Sequence, residues 1–496
     1  MLKDRKYPTL YVKNFAKIKE AEIELAPFTL FIGDNNSGKS YLMTLIYGLI
    51  KYIYNIINII FKNDKLLNSI EEYSKVKNII NTYINSLHSN KLILEDEFEE
   101  DIKLRDDEIK EFINLFNALL NKNIKNVVNY IFNTNNDEII LENIILNFDC
   151  YTDKLFSIEK TKVIDRNMKE INSISILYNN TGAGYNFSED NIDYTSIIKI
   201  FLNFIINTYF NIFYNSNISI NNEDNIYFLP TARTGYLLLY TDIIKSSIKS
   251  KYDAYALNKE NQGNNLPRHA IDFLFNFADL PYRKMKKKQY ILHRRINQVN
   301  IIKMLETDII DGKVDIDEEI GSIYYQPNHV YNSVPSAFPI HLCSSVITEL
   351  TPLILFLKYY GYYKNIIMEE PEISLHPYLQ QQLTRAFIKL VNSGKNVLIT
   401  THSDTIVQHI NNMIKLNANE KKRQKKLMEK YKYDEDDIIS EDKIRMYQFD
   451  AKEDGTEVKP LESSKYGFEA PTFHNYLIKV SNEFDSFIGN IDNSDE

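Results

Sequence analysis

Eight residues near the start of the sequence have the types and spacing of a phosphate-binding loop. They read Gly33-Asp-Asn-Asn-Ser-Gly-Lys-Ser40 and fit the pattern G-x-x-x-x-G-K-[ST]. Backbone N–H groups of such a loop, and of the helix that follows it, point at phosphate oxygens. We expect Lys39 to neutralise the β- and γ-phosphates and Ser40 to offer its hydroxyl oxygen to Mg²⁺. The candidate ATP-binding residues are Gly33, Asn35, Asn36, Ser37, Gly38, Lys39 and Ser40.

Asn36 occupies a loop position that often holds glycine. Asparagine is among the few residues that tolerate a positive φ angle. We therefore expect the loop to keep its geometry in spite of this substitution.

Two adjacent carboxylates end an apolar run later in the chain. The run Asn365-Ile-Ile-Met leads into Glu369 and Glu370 and reads as a buried strand. Ligands of open parallel sheets bind beyond the carboxyl ends of the strands. Glu369 is therefore predicted to hold Mg²⁺, directly or through water. Glu370 is predicted to accept a proton from an attacking water or to orient it. The alternative is an exposed acidic turn without catalytic function.

A histidine ends the next predicted strand, Val397-Leu-Ile-Thr-Thr-His402. A neutral imidazole at that place could contact the γ-phosphate or the attacking water. The catalytic candidates are therefore Glu370 and His402. A lone histidine at the end of a strand is more often structural, and that alternative stays open.

A serine-rich segment, Leu342-Cys-Ser-Ser-Val-Ile-Thr-Glu-Leu350, opens an apolar helix. Ser344 or Ser345 could simply cap that helix. The functional interpretation is that the helix N-terminus binds the γ-phosphate held by a second subunit, with Ser344, Ser345 and Glu349 as its residues.

These side chains need strands that alternate with helices to position them. The apolar run Phe28–Ile32 predicts a strand directly before the loop, and a helix is predicted to begin near Ser40. From residue 340 the pattern is dense α/β, with helix 346–360, strand Ile366–Met368, helix 377–391, strand Val397–Thr400 and helix 404–415. Further predicted elements are strand Ile226–Leu229, a strand-like patch at Ile139–Phe148, strand Ile444–Phe449 and helix 471–488.

Long segments separate the motifs, and the predicted organisation follows from them. Residues 1–50 and 336–415 are predicted to form the two parts of one nucleotide-binding domain, and residues 223–240 are predicted to supply its return strand. Residues 51–222 are a helix-rich insertion for dimerisation or partner docking. Residues 241–335 are a helical insertion with a basic run, and residues 416–496 hold a charged segment with a final strand and helix.

The composition excludes several classes of protein. The chain has 496 residues, a net charge of −9 and 44% hydrophobic residues, which suffices for a large core but excludes a chain that is basic overall. Two cysteines exclude a disulfide scaffold. The N-terminus lacks an apolar leader segment, and polar residues interrupt the apolar stretch from Leu42 to Ile60. We therefore expect a cytoplasmic protein with no membrane span.

The order of these motifs resembles the ABC-type ATPase heads, in particular the branch that contains the SMC-type and OLD-family ATPases. Glu369-Glu-Pro-Glu372 followed by Leu375-His-Pro377 is similar to the E-E-P-E-x-x-L-H-P of OLD-like ATPases. Phe228-Leu-Pro-Thr-Ala-Arg233 is similar to the P-A-x-R segment of that branch, although it leaves the function of Arg233 unassigned. Members of this branch belong to bacterial anti-phage systems, among them the ATPase subunits of Septu (PtuA) and PARIS.

The resemblance implies a fold class and an activity. The fold would be α/β, a P-loop ABC-type head with a mixed sheet, flanking helices and large, mostly helical insertions. Two heads would enclose two ATP·Mg²⁺ between the loop Gly33–Ser40 of one subunit and the Ser344–Glu349 loop of the other. Too few residues follow Ser403 for the nuclease domain of OLD-family nucleases, so the resemblance implies a nuclease effector as a separate protein.

Two other functions remain open at this point. One is an SMC-like ATPase that acts directly on DNA in repair or maintenance, and the other is a scaffold that binds ATP without turning it over. The basic run Arg283–Arg295 and the run Lys421–Lys426 could contact DNA or RNA phosphates, and the alternative is that each is an ordinary solvated surface. The acidic cluster Asp434–Asp437 is expected to be a solvated block of charge.

Overall fold

The structure is a computed structural model. It describes residues 7–62, 67, 69–89, 99–102, 104–134, 138–147, 156–164, 170–178, 184–188, 193–210, 226–240, 242, 266–290, 296–319, 321–329, 336–360, 363–469 and 478–487.

Eighteen strands occur in the described residues. In chain order they are β1 (Thr9–Phe15), β2 (Ile18–Glu24), β3 (Phe28–Gly33), β4 (Glu99–Ile102), β5 (Asn143–Asn147), β6 (Phe156–Ile164), β7 (Glu170–Tyr178), β8 (Gly184–Ser188), β9 (Ile226–Leu229), β10 (Gly312–Ile316), β11 (Ile323–Pro327), β12 (Phe338–Pro339), β13 (Asn365–Glu369), β14 (Asn396–Thr401), β15 (Ile444–Lys452), β16 (Gly455–Pro460), β17 (Ser463–Ser464) and β18 (Gly467–Phe468).

The α-helices of the described residues are α1 (Lys39–Lys51), α2 (Ile53–Ile60), α3 (Glu71–Ser89), α4 (Asp106–Lys122), α5 (Ile124–Phe132), α6 (Tyr194–Phe210), α7 (233–240), α8 (Arg268–Tyr290), α9 (Ile296–Met304), α10 (Ser345–Tyr359), α11 (Pro377–Asn392), α12 (Asp404–Asn417), α13 (Lys421–Tyr431) and α14 (478–487). A π-helical turn, Leu305–Ile309, continues α9.

The chain divides into two compact units. Unit 1 comprises Met1–Ala16, Glu20–Glu24 and Thr44–Glu223, and unit 2 comprises Lys17–Lys19, Leu25–Met43 and Asp224–Glu496. Each is described by its own elements.

Unit 2 is built on a mixed sheet in the order β16-β15-β3-β14-β13-β9. The five strands from β15 to β9 run parallel, and β16 pairs antiparallel with β15. Every residue of β13 is buried, and β3 is buried up to Gly33. Continuous apolar runs of this kind are typical of parallel strands covered on both faces. The predicted α/β class with a mixed sheet and flanking helices is confirmed.

Helices of unit 2 pack their apolar sides on this sheet. Phe356 of α10 and Phe387 of α11 are buried in one core with Phe28 of β3. Helix α11 begins at Pro377, a residue whose fixed φ suits a first helical position. Helix α12 begins after Ser403, whose hydroxyl oxygen accepts a hydrogen bond from the Ile406 N–H.

Unit 1 contains helices and two antiparallel groups of strands. Strand β1 pairs with β5 from Thr9↔Asn147 to Lys13↔Asn143. A second sheet has the order β4-β6-β7-β8, and its longest pairing joins Phe156↔Tyr178 to Ile164↔Glu170. The sequence predicted the helices and the β5 region, but it did not predict this four-stranded sheet.

Most predicted element boundaries agree with the structure to within a few residues. Strand Ile226–Leu229 is confirmed as predicted, and helix 377–391 is confirmed as Pro377–Asn392. The final helix is seen over 478–487, and the rest of the predicted segment lies outside the described residues.

No single helix in the described part of the chain has the length and apolar character of a membrane span. Helices α1 and α2 meet that criterion only when taken together, and they are bent by 84° at their junction.

Candidate functional site

The carboxyl ends of parallel strands bring the predicted residues of unit 2 to one edge of its sheet. The register pairs Ile32 with Thr401 and Glu369 with Thr400. The glycine-rich loop after β3, Glu370 after β13 and His402 after β14 therefore follow neighbouring strands. Leu229 of β9 lies opposite Met368, so the segment from Pro230 onward emerges at the same edge. This is the edge at which open parallel sheets bind ligands.

Backbone geometry explains the glycines of the loop. Gly33 has a φ of +124°, and a Cβ there would lie 2.2 Å from the Phe449 carbonyl oxygen of β15. Gly38 has a φ of +91°. Asn36 has a φ of +57°, so the expectation that asparagine would adopt a positive φ at this position is confirmed. The Asp34 N–H donates to the Phe449 oxygen at 3.1 Å, which ties the loop to β15.

Lys39 lies inside the loop, and its ammonium group is largely buried. It donates hydrogen bonds to the carbonyl oxygens of Gly33, at 3.1 Å, and Asp34, at 2.5 Å. Burial lowers the pKa of Lys39 to about 8, although the charges of Glu370, Asp34 and Glu372 act in the opposite direction. A partly desolvated cation held among backbone carbonyls is suited to bind an anion. Ser40, at the first turn of α1, is exposed.

Glu369 is a buried carboxylate at the last position of β13, with 6% of its surface exposed. Its Oε2 accepts hydrogen bonds from the Thr231 N–H, at 2.9 Å, and the Thr231 hydroxyl, at 3.1 Å. The segment after β9 therefore fixes the orientation of this carboxylate. Among the described residues, no group of three or more His, Cys, Asp or Glu side chains could hold a metal ion by itself.

Glu370 combines a half-buried side chain with an uncommon backbone conformation. Its φ is +40°, a region that non-glycine residues rarely adopt. The Glu370 N–H donates to both the carbonyl oxygen and the hydroxyl oxygen of Thr400, each at 3.1 Å. Burial, followed by the neighbouring charge of Glu369, raises the pKa of Glu370, while Lys39 and Arg233 act to lower it. A raised pKa makes a carboxylate a stronger base.

His402 faces Glu370 across the gap between two strand ends. Its Nε2 lies 4.0 Å from Glu370 Oε1, and each side chain is about one third exposed (32% and 34%). Burial, assisted by the charge of Lys39, lowers the pKa of His402, which favours the neutral imidazole. The backbone N–H of His402 donates to Glu372 Oε1 at 2.6 Å. The third glutamate of the acidic motif therefore holds the backbone after β14 in place.

The serine-rich segment is divided between surface and interior. Ser344 and Ser345 are exposed at the start of α10, and Ser344 makes no side-chain capping bond. Glu349 is buried and forms an ion pair with Arg233, with 2.8 Å between Oε2 and Nε. The prediction that Glu349 faces a second subunit is therefore corrected, since its carboxylate is committed to a partner in the same chain.

Arg233 is the residue of this site that sequence reasoning left without a function. It is fully buried, with 0% of its surface exposed. Its guanidinium contacts Glu349 and the backbone carbonyl oxygens of Pro230, Glu369 and Glu370. The signal available in the sequence was the P-A-x-R likeness of the segment that ends at Arg233.

The charged runs have different environments. Arg283 forms an ion pair with Asp279 and stacks on the Tyr360 ring, and Lys284 forms one with Asp315. The side chains of 286–295 lie outside the described residues. In α13, the five basic side chains of the run Lys421–Lys426 are exposed and have no ion pair within the described part of the chain.

The acidic cluster is only partly solvated. Asp437 is 0% exposed and forms ion pairs with Arg385, at 2.8 Å, and Lys389, at 3.2 Å. The prediction of a solvated block is therefore wrong for this residue, because two basic side chains of α11 compensate its buried charge.

Comparison with known protein families places most of the chain in one family. The AAA_15 model, described as an AAA ATPase domain, matches residues 8–407. This range contains the loop Gly33–Ser40, Arg233, Glu349, the glutamates after β13 and His402. No curated protein matches the chain.

Among solved structures, SMC heads are similar to this chain. The SMC head domain from Thermotoga maritima is 10% identical, with 92% of this chain and 98% of that chain covered and a TM-score of 0.32. The Smc head domain with an extended coiled coil bound to the C-terminal domain of ScpA, from Pyrococcus furiosus, is 12% identical, with coverage of 97% and 99% and a TM-score of 0.34. At these values the likeness carries no functional information.

Proposed function

We propose that this chain, which belongs to the AAA ATPase domain family and is an ATPase, hydrolyses ATP at the carboxyl edge of its parallel sheet with Glu370 as the catalytic carboxylate. The loop Gly33–Ser40 would hold the phosphates, with Lys39 facing the β- and γ-phosphates. Glu370 would accept a proton from the attacking water or orient it, and His402 would contact that water or the γ-phosphate.

The position of Glu370 relative to His402 and Lys39 supports this assignment best. Their functional atoms are contributed by three different strand ends, and the carboxylate lies 4.0 Å from the imidazole nitrogen. The charge of Glu370 also acts on the pKa of Lys39. An acidic turn with only a structural function would need neither the short distance to His402 nor the charge interaction with Lys39.

A phosphate-release assay at saturating ATP tests the assignment of His402. We expect His402→Ala to lower kcat by at least about tenfold, since groups that handle protons in the transition state contribute about 10²–10⁴-fold. His329→Ala is the matched control, because His329 is exposed and outside the site. Equal kcat values for the two variants would contradict the assignment.

The residues proposed for Mg²⁺ fit that ion by their chemistry. Ser40 and Glu369 offer oxygen donors, which hard cations prefer, and Thr231 holds one carboxylate oxygen of Glu369 in place. Two protein ligands are few, but Mg²⁺ at nucleotide sites is bound largely by phosphates and water. When bound, the ion would offset part of the phosphate charge. Glu369→Gln should raise the Mg²⁺ concentration required for half-maximal activity.

We further propose that two copies enclose ATP between the loop Gly33–Ser40 of one and Ser344–Ser345 of the other. The exposed start of α10, where Ser344 makes no capping bond, supports this, because a helix N-terminus favours bound anions. Glu370→Gln protein should double in mass when ATP is added, and adding Ser345→Arg should abolish that change. Ser463→Arg, at another exposed serine, is the control. A dimer that tolerates Ser345→Arg would contradict this interface.

The resemblance to OLD-like ATPases supports a cytoplasmic function in anti-phage defence. We propose that the chain regulates a separate nuclease effector through residues 51–222 and 241–335. The test is to co-express the chain with the product of its neighbouring gene and to weigh the purified complex with and without ATP. If no partner co-purifies and the chain alone degrades nucleic acid, the proposal fails.

Helix α13 favours the alternative of an SMC-like ATPase that acts directly on DNA. Its exposed, unpaired basic side chains are suited to phosphates, and such binding weakens steeply with salt. Charge reversal at Lys421, Lys422 and Lys425 should then abolish salt-dependent DNA binding while basal ATPase activity stays unchanged. Reversal at Lys286, Lys287 and Lys288 tests the other basic run in the same assay.

A further inference from the structure

Arg233 is a charged residue with no exposed surface, and it contacts three segments of unit 2. Removing a guanidinium from water costs several kcal/mol unless its partners compensate for the loss. A buried ion pair is therefore weak evidence for stability, and its location is the more informative observation. Here every described contact of the guanidinium is made with the start of α10, the turn after β9, or the end of β13.

The first contact is with helix α10. Arg233 Nε lies 2.8 Å from Glu349 Oε2 and donates to the Glu349 carbonyl oxygen at 3.2 Å. The Thr234 hydroxyl donates to Glu349 Oε1 at 2.6 Å. Consecutive residues of one segment thus contact Glu349, Thr234 through a hydrogen bond to one carboxylate oxygen and Arg233 through an ion pair with the other. Glu349 lies close to the exposed Ser345 at which α10 begins.

The second contact is with the backbone of the acidic motif. One terminal nitrogen of Arg233 donates to the Glu369 carbonyl oxygen at 2.7 Å, and the other donates to the Glu370 carbonyl oxygen at 3.1 Å. The Glu370 N–H is held from the opposite side by Thr400. Glu370 has a positive φ, and such conformations persist only where the surroundings hold them. Arg233, Thr400 and the Ile373 N–H, which donates to the Glu370 carbonyl oxygen at 3.3 Å, hold it there.

Through these contacts, the positions of helix α10 and of the end of β13 depend on each other. If α10 moves relative to β13, the guanidinium cannot keep both sets of partners, because its donors are fixed in one plane. It would lose its contacts either with the Glu349 carboxylate or with the Glu369 and Glu370 carbonyl oxygens. A lost partner for a buried charge is costly, so a displacement at the start of α10 is transmitted to the backbone of Glu370.

We propose that Arg233 is a positioning residue that couples the N-terminal turn of α10 to the catalytic geometry of Glu370. Contacts made at Ser344 and Ser345 thereby control the rate of hydrolysis and not the affinity for ATP. This inference rests on the proposed function of Glu370.

Steady-state kinetics and nucleotide affinity of four variants test the coupling. Arg233→Met should lower kcat by about 100-fold and Arg233→Lys by about tenfold, with the affinity for ADP or a non-hydrolysable ATP analogue within about threefold of wild type. A lower kcat with an almost unchanged nucleotide affinity, together with partial rescue by lysine, is not expected from general destabilisation of the fold. Glu349→Gln should lower kcat, and its effect should not add to that of Arg233→Lys in the double variant, because the two residues act as one unit.

Arg385→Lys is the matched control for replacement of an arginine that pairs with a buried carboxylate. Arg385 pairs with the buried Asp437 and contacts no residue of the site. We expect this variant to lower the melting temperature while kcat stays unchanged. Thr234→Val removes only the hydroxyl bond to Glu349, and we expect it to lower kcat by about threefold. If Arg233→Met does not fold, Thr234→Val and Arg233→Lys still test the coupling.

The outcomes separate this inference from the function it rests on. If folded Arg233→Lys and Thr234→Val proteins keep the wild-type kcat, the coupling is refuted while the site assignment stands. If the kcat effects of Glu349→Gln and Arg233→Lys add fully, Arg233 does not transmit the state of α10. If Glu370→Gln protein hydrolyses ATP normally, the proposed function itself is wrong.

Discussion

Replacing Glu370 with glutamine tests the chemistry of the site with little change in shape. The substitution keeps the size of the side chain and leaves intact the backbone bonds that hold residue 370 at Thr400. It removes the negative charge that lies 4.0 Å from His402 Nε2 and acts on the pKa of Lys39. ATP binding should therefore persist while proton transfer from the attacking water is lost.

The expected size of the effect follows from the function assigned to the carboxylate. General-base catalysis typically contributes about 10²–10⁴-fold, which corresponds to about 2.7–5.5 kcal/mol in the activation barrier. Burial raises the pKa of Glu370 above that of an exposed glutamate, which strengthens it as a base. We therefore expect a loss of kcat within this range.

Single-turnover phosphate release and calorimetric ATP binding measure the two quantities separately. Glu429→Gln provides the control for loss of one carboxylate, because Glu429 is exposed on α13. We expect its kcat to equal that of the wild type. A Glu370→Gln protein that binds ATP and turns it over within about twofold of wild type would refute the reasoning, because no general base could be that dispensable.

Three further outcomes are expected. Lys39→Ala should abolish detectable ATP binding in calorimetry, because the loop would lose the cation that faces the phosphates. In the wild-type protein, affinity for ATP should fall as the pH rises above about 8, since the pKa of Lys39 without bound nucleotide is about 8 and the deprotonated amine no longer attracts phosphate. An affinity for ATP that does not change between pH 7 and 9 would contradict this. His409 is buried, and its pKa is lowered to about 4, below the 6.5 of the unfolded chain. Its contribution of about 3 kcal/mol to the free energy of unfolding should be complete above pH 6.5 and lost towards pH 4. His409→Phe should flatten the melting-temperature profile across that window, and an unchanged profile would assign the acid sensitivity to other groups.

The phosphate loop and the acidic motif could be predicted because local order carries most of their information. In Gly33–Ser40, the spacing of two glycines, a lysine and a serine after an apolar strand predicts a tight loop of the phosphate-binding type. The positive φ angles of Gly33, Asn36 and Gly38 agree with such a loop. Runs such as Phe28–Ile32 also indicate a buried parallel strand by composition alone.

The four-stranded sheet of unit 1 escaped prediction for the opposite reason. Its strands, among them Phe156–Ile164 and Glu170–Tyr178, are joined by backbone hydrogen bonds that only the antiparallel register creates. Period and composition within a single strand do not reveal which partner completes it.

Buried charges are where the tertiary structure overrules the sequence most clearly. Glu349 and Asp437 looked like an interface residue and a member of a solvated block, yet each is buried against an arginine of the same chain. A carboxylate enters the core only where a cation from another segment compensates for the loss of water.

By itself, then, the sequence determined which groups the candidate site contains, namely a glycine-rich loop with Lys39, paired glutamates and a histidine, because each of these motifs consists of residues adjacent in the chain. Only the tertiary structure decided which of them meet and what holds them. Arg233 lies 116 residues from Glu349 and 137 from Glu370 in sequence, yet donates to the backbone of both. Such contacts depend on how strands and helices pack, and packing joins residues between which local sequence carries no signal.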